Sequence, residues 1–276
     1  MTDKNTYDGA ARWNGPSGNA WIEAQSVMDA LYQPLADVLI DAVPRTATTV
    51  LDVGCGTGGT TVTMAGRGAA RTTGVDISEP MLTAARKRAE QAGVDVTFIR
   101  ADAQEHEFEP ASYDLVMSRF GVMFFNDPVR AFTNLRHAAA PGATLKALVW
   151  RDIEDNPFMT TAERAAAPLL PDLPPRDPEA PGQFAFADQG KVRRILDESG
   201  WSGVTLEPVD VTCTMPESEL VGYFSRLGPV GLALPHVDEA TRAKVVDVVR
   251  PAFDPYVKER EVAFTAACWM VAGRAA

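Results

Sequence analysis

Basic residues are scarce in this chain. Twenty-six lysines and arginines stand against 37 aspartates and glutamates, a net charge of −11 over 276 residues, and the basic residues form no long run. A phosphate backbone is bound by clustered cations, so nucleic acid is a poor partner for such a surface. Cysteine is scarcer. Cys55, Cys213 and Cys268 lie far apart with no C-x-x-C spacing, which indicates neither a disulfide framework nor a zinc site. No apolar run is long enough to cross a bilayer, and the opening MTDKNTYDGA lacks the apolar core of a signal peptide. The expectation is a cytoplasmic protein with no membrane partner. Histidine is limited to His106, His137 and His236, which leaves few candidates for a general base. A hydrophobic content of 46% is ordinary and sufficient for one large α/β domain with insertions, or two small domains.

What is present in excess is glycine at one place. Residues 49–59 read TVLDVGCGTGG, an apolar run that ends in four glycines within six positions. The run predicts a short buried strand, and the glycines predict a tight turn into a helix opening near Thr57. Glycine allows a sharp turn and the close approach of a ligand, and the free N–H groups of a helix start favour anionic or polar groups there. Two patterns fit. Gly54, Gly56 and Gly59 satisfy the dinucleotide spacing G-x-G-x-x-G, while Asp52, Gly54, Gly56 and Gly58 satisfy D-x-G-x-G.

The remaining chain alternates strand and helix. RTTGVDI predicts a second strand ending at Asp76, a position suited to accept from ribose hydroxyls. Ser78 and Pro80 then start a helix that stops at Gly93. VTFIR predicts a third strand followed by Asp102 and Ala103, YDLVMSR a fourth, and residues 143–150 a fifth. Five such alternations in about 100 residues predict a parallel sheet with helices on both faces. Before the first strand, Trp13 and Trp21 stand among polar and small residues. They could pack on the core or form an aromatic lid over a ligand, and both readings stay open. Pro34 is expected to kink or split the helix that follows them. Seven prolines between Pro157 and Pro181 predict an extended surface excursion without a long helix. A helix capped by Asp188, a strand over 204–213, helices over 217–227 and 238–249, and a buried strand over 262–272 complete the chain.

With these pieces in order, the chain resembles the class I S-adenosylmethionine-dependent methyltransferases, in the broad UbiE-like small-molecule group. LDVGCGTGG, GVDIS, RADA and YDLVMSRFGVMFF carry the resemblance, together with the Pro-Gly turn before LKALVW and the late strand pair. It implies a Rossmann-like α/β fold with a seven-stranded, mostly parallel sheet, helices on both faces and a mainly helical cap. The last strand would run antiparallel between the fifth and sixth. The organisation implied is a helical lid segment over 1–45, an S-adenosylmethionine-binding α/β core over 46–150, a proline-rich excursion over 151–187, and the rest of the core over 188–276 with a cap insertion at about 214–260.

Carried over residue by residue, Gly54, Gly56 and Gly58 would pass beneath the methionine and ribose of S-adenosyl-L-methionine. Asp52 would hold the turn and the amino group, and Asp76 the ribose hydroxyls. Ile77 and Met81 would face the adenine, and Asp102 and Ala103 its edge. Ser118 and Arg119 would present backbone near the methionyl end, with Trp13 and Trp21 closing over the cofactor. Phe120, Met123 and His236 would lie on the acceptor side, His236 as the best candidate base. The segment Ser118-Arg119-Phe120-Gly121 departs from the [NDS]-P-P-[YFW] of amino-methylating enzymes, and no acid ends the fourth strand as in metal-dependent catechol-type enzymes, so no metal site is expected. The expected partner is a small, apolar acceptor, with a homodimer as a compatible assembly. A nicotinamide-dependent oxidoreductase and a non-catalytic S-adenosylmethionine-binding protein are the alternatives.

Overall fold

The computed structural model describes residues 8–177 and 180–276, so the first seven residues and two of the proline-rich excursion lie outside the description. Three helices lead in: α1 (Gly9–Asn14), α2 (Pro16–Glu23) and α3 (Gln25–Ala42). Then follow β1 (Thr49–Val53), α4 (Gly59–Gly66), β2 (Arg71–Asp76), α5 (Glu79–Ala92), β3 (Thr97–Arg100), β4 (Tyr113–Arg119), α6 (Pro128–Ala138) and β5 (Ala139–Trp150). The second half contains α7 (Phe158–Ala166), α8 (Gln189–Glu198), β6 (Trp201–Pro216), α9 (Leu220–Arg226), α10 (Gly228–Ala233), α11 (Glu239–Ala252), β7 (Val257–Lys258) and β8 (Glu261–Ala275).

The sheet order is β3-β2-β1-β4-β5-β8-β6, with the two-residue β7 pairing β8 at the side. The first five strands are parallel, and β8 is antiparallel to both β5 and β6. This is the Rossmann-like, mostly parallel sheet expected. Strand β1 is central and almost wholly buried because Val50, Leu51 and Val53 leave it no polar face; Asp52 is its one charged residue. The strand order reverses between β1 and β4, so a crevice opens beyond their carboxyl ends. Register puts Val53 beside Val75 and Asp76 beside Arg100, which brings the ends of β1, β2 and β3 to one edge.

Caps follow the sequence signals. The Ser78 hydroxyl accepts from Met81 N–H at the start of α5, and a left-handed Gly93 ends that helix. Asp127, Asp188 and Asp238 cap α6, α8 and α11 in the same way.

Three local expectations are corrected. Pro34 does not split its helix: α3 runs unbroken over 18 residues, and its side chains Leu31, Leu35, Leu39 and Ile40 are buried deeply enough to offset one missing N–H. The helix after the glycine turn opens at Gly59 rather than Thr57, because the turn continues through a left-handed Gly58. The excursion after β5 is not wholly extended. Residues 158–167 contain no proline, and α7 forms there on an apolar face that buries Phe158 and Ala166. Fully buried Asn156 pins the start of that excursion to β8, its Oδ1 accepting from Ala267 N–H and its Nδ2 donating to Ala267 O, both at 2.9 Å.

Candidate active site

The glycine turn takes its shape from contacts on both sides. At Gly54 φ is +64°, and a Cβ would stand 2.6 Å from Gly121 Cα. At Gly121 a Cβ would stand 2.5 Å from Val53 O. Glycine against glycine thus lets the loop after β4 press on the turn after β1. Ser118 fixes the same junction, its buried Oγ donating to Val53 O at 2.7 Å and accepting from Gly121 N–H at 3.1 Å. Phe120, between them, is held at φ +66°, a conformation costly for an aromatic residue and one found mainly where function demands it.

Asp76 closes the other side of the turn. Its Oδ2 accepts from Gly56 N–H at 2.8 Å and its Oδ1 from Ser78 N–H at 2.9 Å. Burial pushes its carboxyl above the usual value, and those N–H groups pull in the opposite direction. Asp52 lies deeper. Its Oδ2 accepts from the Thr60 and Thr61 hydroxyls at 2.7 Å each, while its Oδ1 is buried with no partner among the described residues. Burial raises its carboxyl to about 6 against the lowering effect of the two threonines.

A cavity of about 830 Å³ opens along this edge, toward the upper end of the roughly 300–1,000 Å³ typical of small-molecule sites. One stretch of its lining is Gly54, Gly56, Asp76, Ile77, Met81 and Asp102 with Ala103. The Asp102 carboxylate is turned by Gln104, whose N–H reaches Oδ1 at 2.9 Å and whose amide Nε2 reaches both oxygens at 3.0 and 3.1 Å. Another stretch is aromatic. Phe120 and Trp150 stack with centroids 4.5 Å apart and planes 5° apart, and Tyr32 meets both edge-on. Met123, Phe124, Leu227 and Leu232 extend this apolar wall.

The N-terminal helices cover the opening. Trp13 and Trp21 both line the cavity, Trp13 with its ring edge-on to Phe124 at 5.2 Å. The segment is latched to the β2–α5 loop: Asn14 Nδ2 donates to Ile77 O and Glu79 N–H donates to Asn14 Oδ1, both at 3.0 Å. Ser78 Oγ donates to Trp13 O at 2.6 Å.

The structure therefore brings most of the expected residues to one cavity: Trp13, Trp21, Gly54, Gly56, Asp76, Ile77, Met81, Asp102, Ala103, Arg119, Phe120 and Met123. Four of the expected residues lie outside the lining. Gly58 is outside the lining because its backbone is turned onto α5, where a Cβ would meet Ala85 Cβ at 2.8 Å. Asp52 is outside it too, wholly buried and committed to the start of α4. Ser118, expected to present backbone, donates its hydroxyl to Val53 O inside the turn and is not part of the lining. His236 sits exposed in a short 3-10 turn after α10, away from the lining, because Leu234 rather than the histidine faces inward. Trp150 and Gln104 line the cavity and were missed. An aromatic residue at the carboxyl end of an otherwise aliphatic strand, LKALVW, was the available signal for Trp150.

The lining suits a nucleoside bearing a polar tail. Gly56, at φ +54°, is a cradle that a side chain would fill: a Cβ there would meet only Met81 Sδ, at 3.8 Å. Beside it stand a carboxylate able to accept from vicinal hydroxyls and two flexible apolar side chains able to flank a flat base.

Comparison with known proteins agrees. Residues 50–142 match the methyltransferase domain family. A demethylmenaquinone methyltransferase of Thermus thermophilus is 34% identical over 41% of this chain and 50% of its own length. A ubiquinone biosynthesis O-methyltransferase of Hahella chejuensis is 33% identical over 45% of this chain and 54% of its own. The chain thus spans about half the length of these relatives. Among solved structures, magnesium protoporphyrin IX methyltransferase of Synechocystis shares the fold with a TM-score of 0.53 and 18% identity, over 73% of this chain and 90% of that one. Motif order, sheet order and these matches converge on residues 50–142 as a methyltransferase domain set in a class I-type sheet.

Proposed function

We propose that the protein transfers a methyl group from S-adenosylmethionine to a small apolar acceptor. The observation that carries this reading is the Asp76 carboxylate, aligned by Gly56 and Ser78 N–H groups on a cavity whose other walls are aromatic. S-adenosylmethionine supplies a methyl group already activated on a sulfonium. The chain's own residues then hold and exclude. Asp76 accepts from ribose hydroxyls, Ile77 and Met81 flank the adenine, and Asp102, turned by Gln104, faces its edge. Trp13, Trp21, Phe120 and Trp150 keep water out of the space where the acceptor sits, so alignment supplies most of the rate.

No histidine lines the cavity among the described residues, and burial keeps the Cys55 thiol and Tyr32 phenol protonated. The acceptor is accordingly one whose nucleophilic atom needs little help from a strong base. The relatives named for demethylmenaquinone and ubiquinone biosynthesis are consistent with a small-molecule acceptor. Nothing in the site favours the nicotinamide reading. Three unpaired cysteines fit the cytoplasm, and no helix among the described residues is long and apolar enough to cross a membrane.

Calorimetric titration with S-adenosylhomocysteine tests the reading. Saturable binding is expected, weakened by about 10- to 100-fold in Asp76→Asn, the range for a lost hydrogen bond to a charged group. Wild-type protein that fails to bind it overturns the proposal.

A further inference from the structure

The 830 Å³ cavity has a neighbour of about 70 Å³. Small-molecule sites run to roughly 300–1,000 Å³, so the smaller space cannot hold a ligand of its own. The two share walls, however. Trp21, Tyr32, Arg176, Gln183 and residues 227–229 line both. Residues 227–229 form the corner between α9 and α10, a turn that Gly228 makes at φ +69°.

Beyond this partition the lining belongs to elements that the cofactor side does not use. Phe158 and Ala162, four residues apart on α7, are joined by Phe224 of α9, Val230 of α10 and Phe253. All but Ala162 are almost wholly buried, and Phe224 stacks on Phe253. A space left among such side chains forfeits their packing contacts. Water recovers part of that loss only where it finds roughly two to four polar partners. The two charges in the lining are already committed to each other: Arg176 Nε donates to Glu163 Oε2 at 3.0 Å, and Nη2 donates to Oε1. A space that is apolar, costly when empty and open to the larger cavity suits an apolar piece of whatever the larger cavity holds.

We infer that the smaller space is an annex of the acceptor site, and that the acceptor carries a short aliphatic arm of a few carbons to fill it. This rests on the methyl-transfer reading above and adds a shape to it. The body of the acceptor lies against Phe120 and Trp150, and its arm passes Leu227 to reach α7. Ala162 then determines specificity. Half-buried, with a single methyl group, it leaves the room that a larger side chain would take.

The test uses para-alkylphenols as probes, titrated by calorimetry in the presence of saturating S-adenosylhomocysteine. Wild type, Ala162→Leu and Ala162→Phe each receive para-cresol, para-ethylphenol, para-butylphenol and para-octylphenol. Wild type should bind para-butylphenol about 10- to 60-fold more tightly than para-cresol, at about three- to fourfold for each methylene removed from water. The gain should stop there, with para-octylphenol no more than about threefold better. In Ala162→Phe the butyl gain falls below about threefold, and Ala162→Leu lies between. Thermal unfolding of the ligand-free variants checks the fold, and Ala162→Leu carries the test should Ala162→Phe not fold. A gain that continues to para-octylphenol in wild type would put the arm in open space and overturn the inference. So would a butyl gain unchanged in the variants, or equal weakening of all four phenols. Wild type that binds S-adenosylhomocysteine but no phenol overturns the annex and leaves the methyl-transfer reading standing. If S-adenosylhomocysteine itself does not bind, it is that reading which fails.

Discussion

The two halves of the cavity are built by different means. On the proposed function, the cofactor side comes mainly from residues 49–104, joined by the end of β4, and relies on backbone: glycines that permit approach, N–H groups that aim Asp76, and strand ends brought level by parallel pairing. The proposed acceptor side gathers Trp21, Phe120, Trp150, Phe184 and Leu227 from segments spread over two hundred residues and relies on side-chain shape. Backbone-built sites leave local signatures in sequence, because only a few residue types satisfy a given φ or approach distance. Shape-built sites do not, since many apolar residues fill a wall equally well.

The largest effect that would test this contrast falls on the glycine junction. Gly121→Ala drives a Cβ to 2.5 Å from Val53 O and 2.7 Å from Gly54 Cα, neither of which is a flexible side-chain end. We expect a loss of about 3 kcal/mol or more in urea unfolding, with S-adenosylhomocysteine binding abolished. Gly68→Ala is the matching control. Its φ is +92° but nothing lies within 4 Å, so only the backbone strain of roughly 1 kcal/mol remains. Equal losses in the two variants would mean that contact across the junction matters little.

Asp52 gives an effect of similar size that appears only with pH. Its folded-state value of about 6 lies above the ordinary 3.8, because burial disfavours the charged form. Below about pH 4 the carboxyl is neutral in both states and the group stabilises the fold relative to its ionised form. As pH rises through 6 the unfolded chain ionises freely while the folded one does so at a cost, so that stability is lost. The full rise is worth roughly 3 kcal/mol. Asp52→Asn removes this dependence, and its stability relative to wild type should climb between pH 4 and 7. A flat or falling difference in urea midpoints would show that Asp52 is not strained by burial.

On the acceptor side the expected effect is smaller and different in kind. Trp150→Leu removes a nearly buried ring stacked on Phe120. It should cost about 2 kcal/mol of stability yet leave S-adenosylhomocysteine affinity within about twofold, while turnover of any acceptor drops. A large loss of cofactor affinity would show that the two halves of the cavity are one unit.

These contrasts explain what could be read in advance. The strand alternation, the strand end at Asp76 and the Ser78 cap follow from periodicity and local residue chemistry, the place of the antiparallel last strand from the resemblance alone, and the structure has each of them. Gly58 and Asp52 belong to the motif, which marks them for the turn and the ligand alike. Their actual orientation depends on Ala85 and on two threonines of α4, which no spacing reveals. His236 is a titratable group in the cap, yet which side of a short 3-10 turn faces inward is settled by tertiary packing, which buries Leu234 and leaves the histidine exposed. The α7 helix was hidden by counting prolines over a whole segment when their clustering after residue 167 was what mattered.

The smallest effect tests whether the N-terminal helices belong to the core or act as a lid. Asn14 makes two bonds across to the loop that carries Asp76, and its replacement by alanine removes both without disturbing the sheet. The direct cost is about 1 kcal/mol, within the range for neutral hydrogen bonds on a part-buried surface. A lid that opens locally should reveal itself in hydrogen exchange before it does so in global unfolding. The amides of α1 and α2 should exchange faster in Asn14→Ala, S-adenosylhomocysteine should slow them again, and its affinity should fall about three- to fivefold. Exchange that changes equally throughout α3 and the sheet would place Trp13 and Trp21 in the core, because a segment that unfolds only with the whole protein cannot gate the cavity it covers.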